Sequence, residues 1–190
     1  TNEENDQNKP TINMNNVQNE VLICWEDFAN GTDFDLVCKS FDPLTLSEGE
    51  EIVIAGEAGN QTAPYVSVSQ NGSYLIAWED TRSGGTSDIY MQEMNVSGAV
   101  FDIGGIPVCS ADFDQRNPGT ALYSEIDNAY LLFWEDLRSS GKEFLWNIYA
   151  QSISLSATPT IVVDYLEAWN IVSLPLSVSD PSQSAAFPNS

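Results

Sequence analysis

Three related stretches constrain this chain more than anything else in it: VLICWEDFANGTDFDLVCKSF from Val21, YLIAWEDTRSGGTSDIYMQEM from Tyr74 to Met94, and YLLFWEDLRSSGKEFLWNIYAQSI from Tyr130. Each reads as two β-strands joined by a polar loop, the first strand closing on Trp-Glu-Asp. Pro10, Pro64 and Pro118 mark the copies at equal steps of 54 residues, with Trp25, Trp78 and Trp134 following each proline. A period of this kind signals a tandem repeat, whose units bury their apolar faces against one another.

Within the middle copy the text reads as four short strands, Tyr65–Ser69, Tyr74–Trp78, Asp88–Met94 and Pro107–Ser110. Asn71-Gly72, Ser83-Gly84-Gly85, Ser97-Gly98 and Gly104-Gly105 supply the turns between them. The second strand is apolar at consecutive positions, where a strand with one wet face would alternate. Both of its faces are therefore expected to be covered, and Val21–Trp25 and Tyr130–Trp134 to behave alike. The fold class that follows is all-β and of β-propeller type, with about three four-stranded antiparallel blades, as part of a larger propeller. The expected divisions are a polar leader or linker over 1–9, blades over 10–63, 64–117 and 118–165, and a following β-segment or incomplete blade over 166–190. Propellers close with about four to eight blades. The remaining blades are expected in a longer parent polypeptide, ahead of completion by copies of the chain or stacking without closure. The start at Thr1 rather than methionine is most simply that of a mature or cut product.

Charge and composition narrow the chemistry. Acidic residues number 28 against 6 basic ones, a formal net charge of −22 that repels phosphate backbones and anionic membranes. Nucleic acid is not an expected partner, and no apolar run is long enough to insert in a membrane. No histidine is present, which removes Ser-His-Asp and Cys-His catalysis and His-ligated metals. Three cysteines are too few for a disulfide scaffold. If Trp25 sits opposite Val37, however, Cys24 lies opposite Cys38, within reach of a cross-strand bridge; two buried thiols are the alternative. Cys109 is expected as a small buried residue.

Trp25, Trp78 and Trp134 each end a doubly buried strand, so packing between blades is a better role for them than stacking on sugar. The acidic pairs after them recur three times, whereas catalysis needs one asymmetric site. Asp80 and Asp136 are followed two residues later by Arg82 and Arg138, and Asp88 re-enters the hairpin opposite. A carboxylate there can cap loop N–H groups and pair with the guanidinium. The first copy has Ala29 in place of the arginine and crowds Asp27, Asp33 and Asp35 around Asn30-Gly31, a candidate calcium site and the sole cofactor candidate. Asn30, Asn60, Asn71 and Asn95 are candidate glycosylation sites in expected turns. In the third copy the longer hairpin loop through Lys142–Trp146 is a candidate contact surface.

The text Trp78, Asp80, Arg82, Asp88, Ile89, Tyr90, followed by Trp134, Asp136, Arg138, Asn147, Ile148, Tyr149, resembles the tandem Trp-x-Asp-x-Arg…Asp-Ile-Tyr propeller-like repeats of large secreted and surface proteins of bacteria, Bacteroidetes and relatives especially. The first copy keeps Trp25 and Asp27 but lacks the arginine and tyrosine. The tail from Trp169 is similar to the Trp-Asn-x-x-Ser-Leu-Pro segments near the C-terminal region of such proteins, although its Leu174-Pro175 also suits the restart of a blade. The resemblance implies an extracellular or cell-surface module of a multidomain protein and carries no catalytic residues. The expected function is non-catalytic binding or scaffolding through loop contacts to protein or glycan, with other domains of a parent chain or neighbouring subunits as partners. A structural subunit decorating a filament or envelope layer is the alternative, and a propeller-type glycoside hydrolase a further one.

Overall fold

A computed structural model describes residues 5–100, 104–124, 129–138, 146–155 and 161–164. Twelve strands form three four-stranded antiparallel sheets, each a meander in chain order. The first holds β1 (Gln7–Asn15), β2 (Glu20–Asp27), β3 (Asp35–Phe41) and β4 (Glu48–Ala55). The second holds β5 (Gln61–Val68), β6 (Tyr74–Asp80), β7 (Asp88–Met94) and β8 (Ile106–Cys109). The third holds β9 (Gln115–Ser124), β10 (Ala129–Asp136), β11 (Asn147–Leu155) and β12 (Ile161–Asp164). They stack face to face in that order, and among the described residues they do not close into a ring.

The consecutive apolar residues of β6 explain the stacking. Tyr74, Ile76 and Trp78 pack with Leu22, Cys24, Leu36 and Ile54 of the first sheet. Leu75 and Ala77 face the other way, onto Tyr130, Leu132 and Trp134 of the third. All five β6 side chains are at most 1% exposed. At about 25 cal/mol per Å² of apolar surface buried, these two layers are the main source of stability. Gly105 is shaped by this packing: a Cβ there would lie 2.2 Å from the Trp78 ring, so only glycine allows the chain to pass.

The end sheets differ from the expectation that all three central strands are covered on both faces. Leu131 and Phe133 of β10 are 37% and 39% exposed, because nothing described packs beyond the third sheet. Trp25 likewise lies on the face of β2 turned away from the second sheet, whereas Trp78 and Trp134 are held between sheets.

The first strand of each sheet begins earlier than its sequence suggests. β5 starts at Gln61 rather than Tyr65, and β1 takes in Gln7, Asn8 and Lys9, which the sequence assigns to a leader. These residues are polar and show no periodicity. What organises them is a bulge ahead of each proline, where Lys9, Ala63 and Asn117 take left-handed conformations with φ of 43°, 50° and 52°. The bulge lets a strand accommodate a proline that has no N–H to give. Trp169, Leu174 and Pro175 of the tail, and Lys142–Leu145 of the long hairpin loop, lie outside the described residues.

Candidate functional site

The repeated Trp-Glu-Asp text builds the same polar node in each sheet. Asp80 accepts the Trp78 indole N–H at 2.9 Å and the Arg82 backbone N–H at 2.9 Å, and pairs with the Arg82 guanidinium. Asp136 does the same with Trp134 and Arg138. Each arginine lies over a tyrosine ring, Arg82 on Tyr90 at 4.2 Å and Arg138 on Tyr149 at 4.4 Å. In the first sheet Asp27 accepts from Trp25 and the Ala29 N–H, and Gln7 Nε2 takes the place of the missing guanidinium at 2.8 Å. Asp88 faces Asp80 across the hairpin and accepts from Ser83 Oγ. These aspartates are buried and committed to loop geometry.

The glutamates of the same motif tie each sheet to the next. Glu26 accepts the Ala63 N–H at 2.7 Å, and Glu79 accepts the Asn117 N–H at 2.8 Å. Burial at this junction pushes the Glu79 carboxyl above the usual range, against the N–H bond from Asn117. Gln61 N–H donates to Phe34 C=O and Gln115 N–H to Ser87 C=O, each at 2.7 Å. Sequence reading missed Gln7, Gln61 and Gln115. Their own 54-residue spacing was the available signal.

Asp27, Asp33 and Asp35 are not brought together: among the described residues no three acidic, cysteine or histidine side chains converge on a metal-sized site. Asp27 is turned inward to Trp25 and Gln7. Asp33 accepts from Gly59 N–H, Thr32 and Asn30, and Asp35 accepts from Asn30 Nδ2. The Asn30 amide thus bonds both carboxylates.

Cys24 and Cys38 are directly opposed, with Cα atoms 4.0 Å apart, and are joined by a disulfide. Cys109 is buried as a free thiol, its pKa pushed up to about 11 by burial. Asn30, Asn60, Asn71 and Asn95 all sit in turns or loops and use Oδ1 as an acceptor for backbone N–H groups. Trp146, at the end of the long loop, is 41% exposed and carries the Arg116 guanidinium 5.2 Å from its ring centroid.

The concavity that no sequence pattern announced runs across β1, β5 and β9, the first strands of the three sheets. It measures about 610 Å³, within the size range of small-ligand sites. Asn13 Nδ2 bonds Val66 C=O and Ser67 Oγ bonds Thr120 C=O, so the same sheet-to-sheet contact floors it twice. Tyr65 lines it and is 41% exposed. Thr120, only 4% exposed, has its Oγ1 without a partner among the described residues. Asn16 and Gln70 add amides at the turn end. Among the described residues no charged side chain lines the groove, although the protein carries a net −22. Neutral amides and hydroxyls around one accessible aromatic ring can hydrogen-bond and stack, but they cannot act as a carboxylate acid–base pair.

No family model and no curated protein matches this sequence. Among solved structures it is similar to an endo-1,4-beta-xylanase from Bacteroides thetaiotaomicron VPI-5482, with TM-score 0.57 and 9% identity over 87% of this chain and 60% of that one. An endo-arabinase from the same organism gives TM-score 0.49 at 13% identity over 80% and 57% of the two chains. A protein solved as an RGII complex gives TM-score 0.49 at 9% identity over 87% and 60%. The chain thus spans 60% of the xylanase it matches, and at 9% identity the likeness is one of fold alone.

Proposed function

We propose that this chain is a non-catalytic, extracellular glycan-binding module of propeller type, working within a larger secreted or cell-surface protein or assembly. The observation that carries the reading is the charge-free groove across β1, β5 and β9, in which Tyr65 stands beside Asn13, Ser67 and Thr120. Neutral sugar chains present hydroxyls at their edges and C–H faces to an aromatic ring, which is the chemistry this lining complements. The fold likeness to a xylanase supports a β-linked polysaccharide as the first ligand to try. The Cys24–Cys38 disulfide supports an oxidising compartment.

The glycoside hydrolase alternative requires two carboxyl groups facing one another across a substrate. Among the described residues, the carboxyl groups raised by burial are Asp35, Glu79, Asp88 and Glu93, and none lines the groove. Calorimetric titration with xylo-oligosaccharides tests the binding, and release of reducing ends from xylan tests the chemistry. Binding is expected, weakened about three- to tenfold by Tyr65→Ala, with no reducing ends released. Turnover above background would sink the non-catalytic reading, and binding unchanged by Tyr65→Ala would sink the groove.

A further inference from the structure

The two ends of the stack expose faces that match each other by the same repeat that joins the interior sheets. On the trailing face, Leu131, Phe133 and Ile148 occupy the positions of Leu75, Ala77 and Ile89 in the second sheet and of Leu22, Cys24 and Leu36 in the first. Those six are each 0% exposed; the three in the last sheet are 37%, 39% and 38% exposed. On the leading face, Ile23 is half-buried where Ile76 and Leu132 are fully buried, and with Trp25 and Phe41 it lines an open hollow of about 300 Å³.

The polar fittings recur as well. At both internal junctions a motif glutamate accepts the N–H of the left-handed residue before a proline, Ala63 onto Glu26 and Asn117 onto Glu79. Lys9 has the same conformation before Pro10 and stands at the free leading end. Glu135 is the equivalent acceptor at the trailing end, and among the described residues it holds only Asn117 Nδ2.

We propose that the trailing face of one copy of this chain takes the leading face of a second, and that the reverse junction closes the pair into a ring of six sheets. Continuity with the existing interfaces argues for this occupant. The open faces carry the repeat positions that meet at the internal junctions, with a donor at Lys9 and an acceptor at Glu135, and the leading hollow is lined besides by the paired Lys39 and Glu48. Such a contact is heterologous, and it closes only if the rotation between sheets brings the last back to the first. Six sheets lie within the range of about four to eight at which propellers close.

Sedimentation velocity and light scattering of the full chain test this, with Ile23→Asp to spoil the leading face and Phe133→Asp to spoil the trailing one. Both substitutions are at positions accessible in the isolated chain, and cooperative melting by circular dichroism checks that each variant is folded. The expected result is a species of twice the 20.8 kDa chain mass that each substitution reduces to monomer. Mixing the two variants should restore a weaker one-to-one pair, because one junction then remains sound. A wild-type monomer at about 100 μM would overturn the proposal and leave the faces to sheets of another polypeptide. A dimer that survives either substitution would overturn it in favour of like-to-like contact. An open series of larger polymers would overturn the closed ring.

Discussion

Trp78 donates its indole N–H to Asp80 two residues further along the chain, at 2.9 Å, and both side chains are 0% exposed. The strand-ending tryptophan thus fills the space between sheets while anchoring the carboxylate that shapes the next loop. Asp80→Ala would strand the Arg82 guanidinium and the indole N–H together. Removing one partner of a buried ion pair costs about 3–5 kcal/mol. Asp27→Ala, whose partners are neutral, is expected to cost less, about 1–3 kcal/mol. Urea unfolding monitored by tryptophan fluorescence measures both, and equal losses would contradict the role given to the arginine.

The disulfide spans a sequence separation of 14 residues within one hairpin. Closing a loop of that size in the unfolded chain is worth about 3 kcal/mol. Replacing Cys24 and Cys38 together by alanine should lower the melting temperature, and adding reductant should then change nothing further. A double variant as stable as the parent would show that the bridge contributes only locally.

Acid should stabilise this protein before it destabilises it. Burial raises the carboxyls of Glu79, Glu93, Asp35 and Asp88. A raised carboxyl binds more protons folded than unfolded, so it contributes stability below its unfolded value that is lost as pH rises through its folded one. Opposing it, Asp33, Asp42 and Glu48 are lowered by hydrogen bonds from Gly59 N–H, Leu44 N–H and Lys39. Those three lose their contribution as pH falls below their unfolded values, and their exposure keeps it small. The melting temperature should therefore rise from pH 7 to about pH 5 and fall below about pH 4. Glu79→Gln should flatten the rising part; an unchanged profile in that variant would exclude Glu79 as a contributor.

Ala63 holds a left-handed conformation, φ 50°, to aim its N–H at Glu26. A non-glycine residue there is strained by about 1–2 kcal/mol, against the entropy that glycine loses on folding. Ala63→Gly is expected to be neutral to stabilising by up to about 1 kcal/mol, read from the urea midpoint at constant slope.

The hairpins were legible because their chemistry is local. Trp25 opposite Val37 and Cys24 opposite Cys38 follow from counting inward from a loop. The junctions were not legible, since Ala63 and Asn117 are small or polar and resemble linker residues until a glutamate about 37 residues earlier in the chain is seen to receive their N–H groups. The groove was hidden for the same reason: Asn13, Tyr65 and Thr120 come from three successive repeats and meet only once the sheets are stacked. Acidic spacing likewise does not reveal that the Asn30 amide bonds both Asp33 and Asp35 while Asp27 turns to Trp25.

The link between sheets has a consequence for how such a protein can change over generations. Its donor is a main-chain amide, so lysine, alanine and asparagine at positions 9, 63 and 117 all take the same conformation. The joint therefore does not depend on which side chain stands there, even where that side chain has contacts of its own, as Lys9 has with Glu26 and Asn117 with Glu135. A gene that duplicates or drops one 54-residue unit would carry a matching plug and socket with it, so the number of sheets can vary without any joint having to be reinvented.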